Sequence, residues 1–257
     1  MTRRTLYLSF AMALISLTGC SLLKRDRITR HNGIQRSDFD LPVFVYPAAD
    51  SNKTQTLVIM LSGDGGWLDF EDALSLQFSK EGFNTVGFNS RDYFWEQKTP
   101  RQTTEDLSEL LHIYIQQYRP QNIILCGYSF GADVVPFIYN RLQPRLKRRV
   151  SAVALMSPFA TTDFKVHTTD LLNIAKDNRK YKVRTEIERI RVPIFCFYGK
   201  DEDPKAQQGF VKPNFYLKLL AGDHSYEDTV YKEIIHTVTK GAKQHEIQNH
   251  PIFVDRM

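Results

Sequence analysis

Short, almost wholly apolar runs alternate along the chain with longer stretches in which apolar residues recur every three or four positions. Runs of the first kind suit strands buried on both faces, and stretches of the second kind suit helices lying against them. The pattern predicts strands over 43–46, 56–61, 84–88, 123–126, 150–156, 194–198 and 214–220. A helix over 70–81 carries Ala73, Leu74, Leu76 and Phe78 and closes at Gly82. Another, capped by Thr103 or Thr104, carries Leu107, Leu110, Leu111, Tyr114 and Ile115 and stops at Tyr118, before Pro120. The last predicted helix, over 227–240, turns Val230, Ile234 and Val238 inward, and the tail from Gly241 has no defined pattern. Strands alternating with helices imply an α/β fold with a mostly parallel sheet. The polar, charge-rich segment 159–191 interrupts that alternation after a strand, where inserted chain overhangs the ligand crevice, so it is expected to form a lid.

One junction carries chemistry. Gly127-Tyr128-Ser129-Phe130-Gly131 lies between the strand run 123–126 and a helix-like Ala132-Asp133-Val134-Val135. A Gly-X-Ser-X-Gly turn from strand to helix is a nucleophile elbow, in which the glycines make room for a tight turn and the serine hydroxyl stands clear of the sheet. The pattern alone also fits an ordinary turn, and the flanking strand and helix distinguish the two.

A serine hydroxyl needs a base within hydrogen-bond reach, and the base needs an acceptor to fix its tautomer. In the α/β-hydrolase arrangement these follow in the order serine, acid, histidine. His224 lies just past the last strand run, where that order puts the base; His167, in the expected lid, is the other histidine near the site. The acid falls in Gly199-Lys200-Asp201-Glu202-Asp203. A spacing of three after the glycine selects Glu202, with Asp203 next and Asp201 third. An oxyanion hole requires two backbone donors. The residue after the nucleophile, Phe130, supplies one, and Asp64, in the loop Ser62-Gly63-Asp64-Gly65-Gly66-Trp67, is placed to supply the other. That loop lacks the Lys-Ser/Thr ending of a phosphate-binding P-loop.

The first residues change the picture of where such a site would work. Arg3 and Arg4 precede an apolar stretch over 6–17 and the sequence Leu17-Thr18-Gly19-Cys20, which reads as a lipoprotein signal with cleavage after Gly19 and lipid on Cys20. An apolar run of about a dozen residues is short of the ~20 needed to span a bilayer. Removing 19 of the 257 residues leaves 238, enough for one domain over 41–257. The formal net charge of +5 is uneven: Lys24, Arg25, Arg27, Arg30 and Arg36 crowd the tether over 20–40. Such a tether suits either an anionic membrane surface or plain solvated linkage. Export to the periplasmic side of a bacterial membrane, inner or outer, disfavours nucleic acid as a partner. Cys126 and Cys196 fall in strand runs that the hydrolase strand order separates by one strand, roughly 9–10 Å, beyond disulfide reach. They read as buried small hydrophobes. No residue cluster calls for a metal or a cofactor.

Beyond the elbow, the chain resembles the VirJ/AcvB family of bacterial periplasmic virulence proteins. The likeness is carried by Ser62-Gly63-Asp64-Gly65-Gly66-Trp67, Val86-Gly87-Phe88-Asn89-Ser90, Tyr93-Phe94-Trp95, Ala132-Asp133-Val134-Val135-Pro136 after the elbow, Asp163-Phe164-Lys165-Val166-His167, Tyr198-Gly199 with Glu202, and Gly222-Asp223-His224. The resemblance implies an α/β-hydrolase fold with helices on both faces of the sheet, and hydrolysis of aminoacyl-phosphatidylglycerol. Asp64, Asp133 or Asp163 would then accept the substrate's ammonium, with Trp67 beside them. Asp133 could instead serve only its helix dipole, and Asp64 only its loop. Two other functions fit the same residues: a general lipase, carboxylesterase or thioesterase, and a non-enzymatic chaperone or adaptor for secretion-system proteins.

Overall fold

The computed structural model describes residues 41–49, 53–167 and 179–249. The expected signal, the lipidation position Cys20 and the tether lie outside the described residues, as does the middle of the expected lid. Among the described residues nine strands form: β1 Val43–Tyr46, β2 Thr56–Leu61, β3 Asn84–Phe88, β4 Asn122–Tyr128, β5 Val150–Met156, β6 Thr161–Thr162, β7 Tyr181–Lys182, β8 Ile194–Gly199 and β9 Phe215–Leu220. Seven of them, the seven expected from the apolar runs, make one sheet in the order β1-β3-β2-β4-β5-β8-β9. Only β1 runs antiparallel to its neighbour, so the carboxyl ends of the other six share one edge. Chain order reverses between β2 and β4, and the crevice outside that reversal is where open α/β sheets bind ligands.

The helices are α1 Asp69–Lys80, α2 Ser90–Tyr93, α3 Pro100–Tyr118, α4 Phe130–Arg141, α5 Pro144–Lys147, α6 Val183–Arg189 and α7 Tyr231–Asn249. They cover both faces. Along β2, Leu57, Ile59 and Leu61 point into a core shared with α3, α4 and α6, while Val58 and Met60 point into a second core shared with α1 and α7. This period of two is what a doubly covered strand requires. Cys126 and Cys196 are both buried and free; β5 separates their strands, and their side chains enter opposite cores. Burial pushes both thiols well above the usual range, which suits packing rather than redox chemistry.

Three boundaries differ from the sequence reading. Helix α3 begins before Thr103 and Thr104, because Thr99 caps it: its hydroxyl accepts from Gln102 N at 3.2 Å, the Gln102 side chain accepts from Thr99 N at 3.1 Å, and Pro100 takes the first helical position. Helix α7 runs on to Asn249, past the expected end at 240. The expected lid is in part framework. Its ends pair as β6 with β7, and α6 buries Val183 and Ile187 in the core while Glu186 accepts from Asn140 Nδ2 at 2.7 Å and pairs with Arg141 at 3.1 Å. Among the described residues, no helix is long and apolar enough to cross a membrane.

Candidate active site

Strand β4 delivers Ser129 to the carboxyl edge of the sheet, and α4 starts at the next residue. Ser129 adopts φ 51°, ψ −119°, a strained conformation for a side-chain-bearing residue and the one a nucleophile elbow imposes. The two flanking glycines are required by contact. A Cβ on Gly127 would lie 2.4 Å from Gly131 O, and one on Gly131 would lie 2.4 Å from Leu61 O. The absence of both side chains lets α4 press against the end of β2.

The loop after β9 brings His224 to the serine. Its Nε2 lies 3.0 Å from Ser129 Oγ and its Nδ1 lies 2.9 Å from Glu202 Oε1. A carboxylate only accepts, so Nδ1 carries the proton and Nε2 is left to accept from the serine hydroxyl. The side of the imidazole is packed by Tyr128 and Phe159, with ring centroids at 5.4 and 5.6 Å, and Tyr128 Oη donates to His224 O at 2.9 Å.

Of the three consecutive acidic side chains after β8, the structure selects one. Glu202 is buried, whereas Asp201 and Asp203 are exposed. The second oxygen of Glu202 accepts from Ser157 Oγ at 2.7 Å and from Gly199 N at 3.1 Å. Ser157 Oγ also lies 2.7 Å from the Tyr226 hydroxyl, which donates to Phe197 O. Ser157 and Tyr226 were not picked out from the sequence. Their only signals were position, one residue past β5 and two residues past His224.

The glycine-rich loop after β2 lies directly against the elbow. A Cβ on Gly63 would come within 3.3 Å of Ser129 Cβ, and Asp64 follows on that loop, while Phe130 occupies the first position of α4. Both expected oxyanion donors are therefore on segments that touch the nucleophile.

Three expected substrate contacts are displaced. Trp67 is buried, stacked on Phe44 at 4.9 Å and donating from Nε1 to Tyr46 Oη at 2.9 Å, so it belongs to the core beneath β1. Asp133 is also buried; its carboxylate accepts from Phe159 N at 2.6 Å, and burial pushes its pKa well above the usual carboxylate range. It fastens the base of the expected lid to α4 rather than opening on the site. Asp163 is engaged by His167 Nε2 at 2.5 Å and by Arg179 at 3.7 Å. His167 is thus tied to that cluster and not to Ser129. Of the expected ammonium acceptors, Asp64 lies half-buried on the loop against Ser129, whereas Asp133 is fully buried beneath the elbow helix.

A cavity of about 470 Å³ lies farther along the same rim, where Pro42 O accepts from Asn89 N beyond the end of β3. Asp92, Glu96, Asp106 and Glu109 line it together with Tyr93 and Trp95. None of Ser129, His224 and Glu202 does.

Sheet order, elbow strain and the Ser-His-Glu geometry define the α/β-hydrolase fold, and solved structures agree. The chain is similar to a soluble variant of monoglyceride lipase from Saccharomyces cerevisiae, with 14% identity and a TM-score of 0.60 over 86% of this chain and 98% of that one. It is likewise similar to Est1E from Butyrivibrio proteoclasticus, at 15% and 0.56 over 79% and 96%. A thermostable carboxyl esterase from Bacillus coagulans gives 14% and 0.56 over 79% and 94%. No curated protein matches the chain. The model of the bacterial virulence protein VirJ matches residues 55–246, and the chain belongs to the VirJ family.

Proposed function

We propose that the protein is a serine ester hydrolase whose substrate is an aminoacyl ester of phosphatidylglycerol. The hydrogen-bonded line Ser129–His224–Glu202, at 3.0 and 2.9 Å, carries the hydrolytic part of this reading. Ser129 Oγ attacks the ester carbonyl as its proton passes to His224 Nε2. The resulting oxyanion is held by the N–H groups of Phe130 and Asp64, each donor contributing about 3–4 kcal/mol to the transition state. His224 Nε2 returns the proton to the departing glycerol oxygen, leaving an aminoacyl-serine. Water then gives one proton to His224 and attacks the acyl carbon; Ser129 takes the proton back as the amino acid leaves. Glu202 stabilises the imidazolium in both halves.

Two features support the finer substrate. Asp64, on the loop against the elbow, puts a carboxylate beside the expected position of the aminoacyl group, and the expected lipid on Cys20 would hold the enzyme at a periplasmic membrane surface beside its substrate. The test is lipid analysis of purified protein supplied with lysyl-, alanyl- and unmodified phosphatidylglycerol. Free amino acid and phosphatidylglycerol should appear from the first two, with Ser129→Ala slower by at least roughly 10³-fold. Undiminished cleavage by that variant would sink the mechanism. Cleavage only of neutral esters would leave the mechanism and remove the substrate. An adaptor without chemistry would fail to react with a fluorophosphonate.

A further inference from the structure

Glu71 is buried on α1 and has no place in the triad, yet its carboxylate binds the segment that touches the nucleophile. One oxygen accepts from Leu68 N at 3.2 Å, the bond expected of an acidic residue in the first turn of a helix. The other reaches back eight residues to accept from Gly63 N at 3.1 Å. A helix cap explains the first bond and not the second. One side chain therefore ties together the two ends of the loop 63–68.

The loop's remaining bonds show what that tie controls. Gly63 O accepts from Ser62 Oγ at 3.1 Å and from Gly66 N at 3.2 Å, and Ser62 Oγ accepts from Ser90 N at 2.9 Å. With Gly63 N held by Glu71 and Gly63 O held by these two donors, the planes of both peptide units at Gly63 are fixed. A trans peptide points its N–H opposite its C=O, so the direction of Asp64 N–H is fixed as well. Gly63 is the residue packed on Ser129 Cβ.

We propose that Glu71 is a positioning residue that aims the Asp64 N–H at the oxyanion, acting through Gly63 and never touching substrate. The inference rests on the serine-hydrolase reading of the site. It adds a pH dependence, because burial raises the Glu71 carboxyl to about 7 despite the backbone donors that favour its charged form. The ionisable groups facing it are Asp64 on the loop, which raises it further, and Tyr128 at the end of β4, whose hydroxyl Glu71 raises in turn. Above pH 7 the carboxylate accepts both N–H groups. Below it, one oxygen becomes a donor, and the tie slackens.

The test compares ester-hydrolysis kinetics of the full chain, Glu71→Gln, Glu71→Asp and Ser129→Ala from pH 5 to 9. In Glu71→Gln, kcat at pH 8 should fall about 10- to 100-fold with KM within about threefold, since an interaction made only in the transition state is lost. The wild-type kcat should fall as pH drops through about 7 by a step that Glu71→Gln lacks, since burial places the Glu71 carboxyl there. Glu71→Asp keeps the charge on a shorter stem and should recover part of the loss along with the pH step. A Glu71→Gln kcat within twofold of wild type, or a loss confined to KM, overturns the proposal. If thermal melting shows that Glu71→Gln does not fold, Glu71→Asp decides: a kcat and pH profile superimposable on those of the wild type overturns it. An active Ser129→Ala instead removes the hydrolase reading beneath it.

Discussion

Two buried carboxylates flank Ser129, and they hold different things. Glu202 takes one bond from His224 Nδ1, one from the Ser157 hydroxyl and one from Gly199 N, so two of its three donors are side chains and it orients the His224 ring. Glu71 takes main-chain N–H bonds, among them those of Gly63 and Leu68, so it shapes backbone. The comparison shows that burying a carboxylate beside a nucleophile does not itself make a triad acid. What decides its role is whether a titratable partner stands on the other end of the hydrogen bond. Asp133 is a third buried carboxylate in the neighbourhood, and its partner, Phe159 N, leads only to the base of the lid.

Substitutions that keep shape and remove charge separate the three. Glu202→Gln should have the largest effect, lowering kcat by roughly 10³- to 10⁴-fold, because an amide can present its NH2 to Nδ1 and hold the wrong histidine tautomer. A loss no greater than that of Glu71→Gln would break the distinction between base-orienting and backbone-shaping roles. Ser157→Ala should follow, with kcat down about 10-fold, since Glu202 loses one of its three donors and a hydrogen bond to a charged group contributes about 1.5–3 kcal/mol. An unchanged rate would show that Gly199 N alone fixes the acid.

Asp133→Asn should change kcat least, within about twofold, and act on stability instead. A carboxyl whose folded-state pKa is raised holds its proton longer folded than unfolded. Stability contributed by that proton is full below the unfolded value near 4 and declines as pH rises towards the raised value. The amide keeps an acceptor for Phe159 N and has no proton to lose. Denaturant titrations from pH 4 to 8 should therefore show the variant gaining on the wild type as pH rises. A parallel pH dependence in the two proteins would mean that Asp133 is ionised in the fold.

The strands, the elbow and the meeting of Ser129, His224 and Glu202 were legible because each follows from pattern and order along the chain. Apolar runs of four to seven residues declare buried strands, and a fixed spacing from Gly199 singles out Glu202 among three acidic neighbours. What escaped depends on contacts made only once the chain has folded. Glu71 looks like any acidic residue in a first helical turn, and its bond to Gly63 exists only once the loop has folded back. Trp67, at the end of a polar glycine loop, looks exposed until Phe44 and Tyr46 of β1 close over it. Asp133 and Asp163 look available for a ligand until Phe159, His167 and Arg179 engage them. Short helices such as α6 hide within a charged segment because only two or three of their residues face the core.

The contact between Gly199 and the histidine loop has a further consequence. A Cβ at Gly199 would lie 2.1 Å from Asp223 O, and Asp201 N donates to Gly222 O at 3.1 Å, so the turns bearing Glu202 and His224 meet backbone to backbone. Glu202 and His224 are thus registered in part by main-chain contacts that use none of the side chains at 200, 201 and 203. For an engineer, the ends of β8 and β9 behave as a unit that also needs Ser157 and Tyr128 beneath it. Outer loops can be rewritten to change what enters, provided those partners are kept and position 199 stays bare.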